Sequence, residues 1–265
     1  MYANDNILAR RKALRIILVG IILVLYFIIT LPFFLIFLLI RCFNKKLSTK
    51  LSIYFVKYGF KLILLSTGTK NKVIGLENIP KDEPVLFTSN HRSFFDIVMS
   101  YAVIPASHNT VFISKKEVKK VPFLAWWMIL VNSLFMDRDD TRQSLEVIIQ
   151  AINVIKKDKF SVFICPEGTR NKEESYFDML PFKEGSFKIA TKSGCAIIPV
   201  AISNSSAIFE DHMPWIKPVR TVIHFGKPIY AKDYSREELA HIGANVQKIV
   251  QSMLEEDRQY IENKS

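Results

Sequence analysis

Residues 85–98 read VLFTSNHRSFFDIV, an apolar run that leads directly into a polar turn. The run from Val85 to Thr88 has the length of a buried strand, and polar groups that follow strands of an α/β sheet lie where such sheets form their sites. An ideal helix rotates about 500° over the five positions from His91 to Asp96, so inside one helix the two would point apart. They can meet if His91 lies in the turn and Asp96 in the first helical turns, with Ser93 as N-cap.

A carboxylate that holds one ring nitrogen of a histidine fixes the tautomer and leaves the other nitrogen free to act as a base. His91 and Asp96 could then take a proton from a substrate hydroxyl without any protein nucleophile. A histidine and an aspartate at this spacing also occur together by chance in many sequences. The pair therefore needs support from a second motif.

A second polar turn, Pro166-Glu167-Gly168-Thr169-Arg170, follows the apolar run from Phe160 to Ile164. Glycine permits a tight backbone turn, and the planar guanidinium of arginine suits a phosphate. The competing interpretation is a surface turn in which Glu167 and Arg170 are merely solvated. Both polar turns follow strands, which favours a shared site.

Short apolar runs alternate with amphipathic stretches throughout this part of the chain. We predict strands at 85–88, 110–113, 133–136, 160–164, 196–202 and 221–225. We predict helices at 141–156, after Asp139 and Asp140, and at 237–263, after a capping box that begins at Ser235. This alternation predicts an α/β fold with a largely parallel central sheet flanked by helices.

The amino-terminal part is hydrophobic. Residues 16–40 contain 25 consecutive uncharged residues, which as a helix would extend about 37 Å. We expect a retained membrane anchor, because no cleavage site for a signal peptidase follows. Pro32 leaves two arrangements open, a kinked span or two shorter helices that enter and leave one leaflet, and the flanking basic residues are balanced.

A second amino-terminal stretch, residues 47–65, is a predicted helix with Lys50, Lys57 and Lys61 near one stripe. It either packs on the catalytic core or lies in the membrane interface. We therefore expect anchoring hydrophobic and interfacial helices at 1–66 and one catalytic domain at 67–265.

The overall composition favours a lipid partner. The formal charge of +11 suits an anionic ligand, but 49% hydrophobic residues and a mean hydropathy of +0.17 are unusual for a nucleic-acid binder. Three scattered cysteines predict no disulfide framework and a reducing environment, and the histidine spacings predict no metal site.

The two polar turns resemble the signature motifs of the glycerolipid acyltransferases, especially the 1-acylglycerol-3-phosphate acyltransferases (lysophosphatidic acid acyltransferases). Further blocks resemble the family in the same order, covering about residues 73–230; they are 114–123, 135–138, 180–187 and 197–200. The sequence departs from the family at Ala125 and Asn132, where glycines are frequent, and at Cys165, where an aromatic or aliphatic residue is usual. These departures concern local packing and the shape of the acceptor pocket, and Cys165 is expected to be a small buried residue.

The resemblance implies a role for each matching residue. His91 would be the general base and Asp96 its orienting partner, with Lys115 and Arg170 as ligands of the acceptor phosphate. The residues Glu167, Gly168 and Thr169 would shape the acceptor site, and Arg138 would support substrate or structure.

The resemblance also implies the reaction and its setting. An acyl group would pass from acyl-CoA or acyl carrier protein to the sn-2 hydroxyl of lysophosphatidic acid, forming phosphatidic acid without a cofactor. The enzyme would be bound to the lipid bilayer, in the inner membrane if bacterial, with its catalytic domain facing the cytoplasm. Two alternatives remain: another acceptor, such as glycerol 3-phosphate or a lysophospholipid, or a lipid-binding module without catalysis. A serine hydrolase is disfavoured because no Gly-x-Ser-x-Gly occurs.

Overall fold

The computed structural model describes residues 2–173, 175 and 177–262, with residues 2–13 described by their backbone alone. The helices are α1 (Tyr2–Phe43), α2 (Lys45–Ser66), α3 (Phe95–Val103), α4 (Leu124–Leu130), α5 (Thr141–Asn153), α6 (Lys188–Ser193), α7 (Arg236–Ala240) and α8 (Ile242–Glu262). The strands are β1 (Lys70–Ile74), β2 (Val85–Ser89), β3 (Val111–Lys115), β4 (Leu134–Met136), β5 (Val162–Ile164), β6 (Ala196–Ser203) and β7 (Arg220–Phe225).

One seven-stranded sheet forms the centre, in the order β1-β7-β6-β2-β5-β3-β4. Every neighbouring pair is parallel except β6 and β7, which confirms the predicted fold class. All residues of β2 are buried, because one apolar cluster covers one face of the sheet and a second cluster covers the other. The carboxyl ends of β2, β3, β4, β5 and β6 therefore lie along one edge.

The sequence patterns misplaced a few boundaries. No strand was predicted at 70–74, and β1 forms there as an edge strand beside β7. The predicted helix at 237–263 is divided at His241 into α7 and α8, although the capping box at Ser235 is present. Residue 263 lies outside the described residues. Helix α5 begins after Asp140, whose side chain caps it as expected, and passes into one π-helical turn at 154–158.

Helices α1 and α2 form a hairpin whose turn is Asn44. The Asn44 side chain accepts a hydrogen bond from the Leu47 amide at 2.9 Å and so caps α2. Helix α1 is continuous through Pro32. The predicted alternative, in which this stretch forms two shorter helices divided at Pro32, is therefore wrong. Among the described residues, 14–43 form the one helix that is long and apolar enough to cross a membrane, and most of its apolar side chains are exposed.

The hairpin packs on the catalytic part through an aromatic cluster. Trp127 of α4 is buried, with its ring centroid 6.4 Å from that of Phe37 and 6.3 Å from that of Phe55. Lys57 of α2 is also buried, and its ammonium donates to the Ile104 carbonyl at the end of α3. Of the three lysines near the predicted stripe, Lys57 is thus turned into the protein, because its side chain joins α2 to α3.

Candidate functional site

Asn90 joins the turn after β2 to β6, the strand beside β2 in the sheet. Its side-chain amide donates to the Ile202 carbonyl at 2.9 Å, and its side-chain oxygen accepts from the Ile202 amide at 2.8 Å. Asn90 is almost completely buried, so these two hydrogen bonds substitute for a strand pairing at the edge of the sheet. The position of His91, the next residue, is thus set by β2 and β6 together.

His91 and Asp96 meet as the spacing predicted. Nδ1 of His91 lies 2.8 Å from Oδ2 of Asp96, and the same oxygen accepts from the backbone amides of Arg92 and Ser93, each at 2.8 Å. The other carboxylate oxygen accepts from the Ser205 hydroxyl. Asp96 is fully buried, and its four hydrogen bonds fix the orientation of its carboxylate.

The helix that carries Asp96 begins one residue later than expected. Phe94 is the N-cap of α3 and has no capping side-chain hydrogen bond, so the assignment of Ser93 as N-cap is wrong by one position. The Ser93 hydroxyl still accepts from the Phe95 amide at 2.8 Å. Asp96 consequently lies in the first helical turn while His91 stays in the preceding turn, which is the arrangement that brings them together.

The second polar turn is held against the first by Glu167. One of its carboxylate oxygens accepts from the His91 amide at 2.6 Å, and the other accepts from the Leu180 amide at 2.9 Å. The Asn171 amide in addition donates to the His91 carbonyl at 2.7 Å. Both backbone groups of His91 are therefore occupied by the segment that follows β5.

Burial and neighbouring groups shift the pKa values of His91 and Glu167. Burial of His91 disfavours its charged form, but contacts with the side chains of Cys165 and Asp96 outweigh burial, so the pKa of His91 lies above its ordinary value. Burial raises the pKa of Glu167 to about 7, against the opposing effect of its two backbone hydrogen bonds. A raised histidine pKa makes the neutral imidazole a stronger base but a scarcer one at neutral pH.

Arg170 lies on the side of the turns that faces α3. Its guanidinium stacks over the Phe94 ring, with the central carbon 3.9 Å from the ring centroid, and NH1 lies 3.5 Å from a carboxylate oxygen of Glu210. Glu210 also accepts from the Phe94 amide and from the Ser93 hydroxyl, each at 2.7 Å. Glu210 thus connects the two motifs, and its charge compensates that of Arg170.

The remaining predicted residues lie around the same edge of the sheet. Lys115, at the end of β3, is half exposed and lies 3.7 Å from a Glu117 carboxylate oxygen. Arg138 follows β4 and lines a cavity of about 240 Å³ together with Cys165 and Gly168. Thr169 is exposed. The structure gives no direct contact between Lys115 and Arg170.

Three residues at the site were missing from the predicted set. Asn90 belonged to the first motif but had no role assigned. It is buried, and its role is to join the His91 turn to β6 through two hydrogen bonds. Ser205 and Glu210 follow β6 and have no motif that would reveal them, but they lie at the carboxyl end of a strand that neighbours β2. That topological position is the signal that could have found them.

Comparison with known proteins identifies relatives. The sequence model of a family described as "Acyltransferase" matches residues 70–203. The chain is 29% identical over 197 residues to the 1-acyl-sn-glycerol-3-phosphate acyltransferase of Saccharomyces cerevisiae, covering 74% of this chain and 64% of that protein. It is 34% identical over 165 residues to the chloroplastic enzyme BAT2 of Brassica napus, covering 61% of this chain and 45% of that protein.

A solved structure shows the same fold over nearly the whole chain. The crystal structure of the 1-acyl-sn-glycerophosphate (LPA) acyltransferase PlsC from Thermotoga maritima superposes with a TM-score of 0.78 at 24% identity, covering 97% of this chain and 99% of that one. The matched part of this chain spans less than two thirds of the length of the yeast and Brassica relatives. The family match covers both polar turns and six of the seven strands, and on that match the chain belongs to the Acyltransferase family.

Proposed function

We propose that this protein transfers a fatty acyl group from acyl-CoA or acyl carrier protein to the sn-2 hydroxyl of 1-acyl-sn-glycerol 3-phosphate, forming phosphatidic acid. The observation that carries the proposal is the hydrogen bond between Nδ1 of His91 and the buried carboxylate of Asp96. In the neutral imidazole this contact favours the proton on Nδ1 and leaves Nε2 unprotonated, which is the tautomer that a general base requires.

In the proposed mechanism, Nε2 of His91 removes the proton of the acceptor hydroxyl as its oxygen attacks the thioester carbonyl. The resulting tetrahedral oxyanion collapses, the carbon–sulfur bond breaks, and the thiolate leaves with the proton that His91 had taken. Asp96 stabilises the imidazolium that exists between these two proton transfers. No electron is gained or lost overall, so the proposed step requires no redox cofactor.

Phosphate recognition positions the hydroxyl. Arg170 and Lys115 are the proposed ligands of the acceptor phosphate, and each now lies beside a carboxylate that the phosphate would displace or share. Glu167, Gly168 and Thr169 form the turn that separates His91 from these cations. Arg138 is proposed to support the acceptor from the cavity beside Cys165. Binding energy from the phosphate is thereby converted into correct placement of the reacting oxygen.

The enzyme is proposed to act at a membrane. Helix α1 exposes a long apolar surface, which suits contact with lipid, and the lipid substrates reside in the bilayer. We retain the division into anchoring helices at 1–66 and a catalytic domain at 67–265 as part of the proposal. The catalytic domain is placed on the cytoplasmic side, where thiols are reduced and acyl-CoA and acyl carrier protein are available.

The test is acyl transfer to lysophosphatidic acid by membranes that carry the wild type, His91→Ala or Arg170→Ala. We expect His91→Ala to lower kcat by about 10²–10⁴-fold while the acceptor still binds. Arg170→Ala should mainly raise KM for the acceptor, by about tenfold or more. His241→Ala, at an exposed histidine, is the matched control and should be fully active.

The assay also separates the alternatives. Full activity of His91→Ala would refute the mechanism. If glycerol 3-phosphate or a neutral lysophospholipid is acylated faster than lysophosphatidic acid, that molecule is the preferred acceptor instead. Binding of lysophosphatidic acid without turnover by the wild type, with either donor supplied, would identify a lipid-binding module.

A further inference from the structure

The cavity beside Cys165 is lined by basic side chains that belong to neither polar turn. It lies between the carboxyl ends of β3, β4 and β5 and helices α5 and α6. Its walls are largely apolar, from Ile113, Met136, Leu145, Ile148 and Ile164, and three basic side chains also line it: Arg138, Lys183 and Lys188. Cys165 both lines this cavity and contacts His91, so a ligand in the cavity would lie one side chain away from the base.

Lys183 packs against the turn that carries Arg170. Its backbone amide donates to the Pro166 carbonyl at 3.1 Å, and its side chain lies over Gly168. A Cβ on Gly168 would come within 2.7 Å of the Lys183 ammonium nitrogen and 3.0 Å of the preceding carbon. Gly168 also has a φ of +78°, a conformation that favours glycine. The missing side chain at residue 168 thus makes room for the ammonium group of Lys183.

The charges around this cavity differ from those around Arg170. Arg170 and Lys115 each form an ion pair with a glutamate. In the part of the chain that the structure describes, neither Lys183 nor Arg138 forms an ion pair with a carboxylate. Glu117 still acts electrostatically on Arg138, so Lys183 is the cation whose charge is less compensated. Its position at a largely apolar cavity beside the base suits an anionic group attached to an apolar molecule.

From this arrangement we infer that Lys183, together with Arg138, binds the phosphate of the acceptor, and that the cavity holds the acceptor's glycerol phosphate end. The inference rests on the proposed function and adds, to Arg170 and Lys115 outside the cavity, a second pair of cations on the side of the turn nearer Cys165. A phosphate monoester carries between one and two negative charges near neutral pH, so it calls for more than one cation. Lys183 supplies a cation whose charge is not already compensated by a neighbouring carboxylate.

The phosphate of the donor is the other source of the same chemistry. In the acceptor, only a few atoms separate the phosphorus from the sn-2 hydroxyl, so a phosphate near Cys165 leaves the hydroxyl within reach of His91. In acyl-CoA and acyl carrier protein, the whole pantetheine arm separates the phosphate from the thioester. A phosphate in this cavity would then place the thioester carbonyl far from His91, which favours the acceptor.

The experiment measures inhibition by an acceptor analogue that lacks the sn-2 hydroxyl and cannot react. We expect the inhibition constant of this analogue to be about tenfold or more higher for Lys183→Met than for the wild type. This is the loss of affinity expected when one charge-assisted hydrogen bond is removed. Lys183→Arg should retain most of the affinity, because it keeps the charge. Lys192→Met is the matched control, since Lys192 is an exposed lysine on the same helix as Lys188 and does not line the cavity.

A second set of measurements tests whether Lys183 binds the phosphate of the acceptor or that of the donor. With 1-acylglycerol, which has no phosphate, the wild type and Lys183→Met should show the same kcat/KM, while with lysophosphatidic acid they should differ. Equal losses with both acceptors would overturn the inference in favour of a structural role. A defect that disappears with a donor lacking phosphate, acyl-pantetheine, would overturn it in favour of the donor. A wild type that does not acylate lysophosphatidic acid would refute the proposed function instead.

Discussion

Glu210 lies 3.5 Å from Arg170 and at the same time accepts hydrogen bonds from Ser93 and Phe94. A single carboxylate therefore joins the turn after β2 to the turn after β5. The Glu210 side chain is 15% exposed and that of Arg170 34% exposed, so the pair is partly shielded from water. The position of Arg170 and the conformation of the His91 turn are consequently linked through one residue.

We predict that Glu210→Gln reduces kcat several-fold with either a phosphorylated or a neutral acceptor, because the His91 turn loses a support in both cases. A glutamine keeps one oxygen acceptor but not two, so either the Ser93 hydroxyl or the Phe94 amide loses its partner. Steady-state kinetics with lysophosphatidic acid and 1-acylglycerol measure this change. Asp211→Asn, at an exposed neighbouring acid, serves as control. An unchanged kcat for Glu210→Gln would show that the His91 turn keeps its conformation without it.

The raised pKa of His91 predicts the pH dependence of acyl transfer. A base must be neutral, so kcat/KM should increase with pH through neutrality and level off above the ordinary histidine pKa. Asp96→Asn removes a charge that favours the imidazolium, so the break in the profile should move to lower pH. The plateau should also fall, because the tautomer is no longer fixed.

The control for this profile is Asp82→Asn, at an exposed aspartate, which should leave both the break and the plateau in place. A break that stays at the wild-type pH in Asp96→Asn would contradict the assignment of the profile to His91.

Glu167 predicts a pH dependence of stability. Its pKa is about 7 in the folded protein against 4.5 when unperturbed, so between these values the folded state binds a proton that the unfolded state does not. The free energy of unfolding should therefore decrease as the pH rises through this window. In Glu167→Gln this contribution should disappear, and the lost acceptor should cost about 1–3 kcal/mol at all pH values.

Denaturant unfolding in detergent at pH 5 and at pH 8 provides the measurement. Glu77→Gln, at an exposed glutamate, should retain the wild-type difference between the two pH values. If Glu167→Gln also retains it, the pH dependence arises elsewhere.

A buried cluster away from the site should matter for stability alone. Asp257 of α8 accepts from the Ser203 hydroxyl at 2.8 Å and lies 3.2 Å from Nδ1 of His224, which joins α8 to β6 and β7. Asp257→Ala removes the acceptor of the buried Ser203 hydroxyl and of the partly buried His224, so we expect a loss of about 2–4 kcal/mol. KM for both substrates should stay the same in the folded fraction. The exposed neighbour Glu256→Ala should be neutral in unfolding experiments, and equal stability of both variants would contradict this role.

The sequence predicted the central sheet and the meeting of His91 and Asp96, because strand runs and turn positions are local features. It could not predict Glu210 or Ser205, since their contacts depend on how β6 lies beside β2 and no nearby residue encodes that. The edge strand β1 was missed for a different reason: its sequence is KNKVI, in which two lysines and an asparagine outnumber the two apolar residues. The N-cap of α3 was misplaced by one residue because Ser93 is used by Glu210 and Phe95 instead.

The two hydrogen bonds between Asn90 and Ile202 join residues separated by 112 positions. Contacts this distant in sequence form only after a long loop has closed, which makes them late events in folding. During synthesis, the His91 turn would acquire its support only once β6 has left the ribosome. A fragment that ends before β6 would contain both signature motifs and still lack an assembled site.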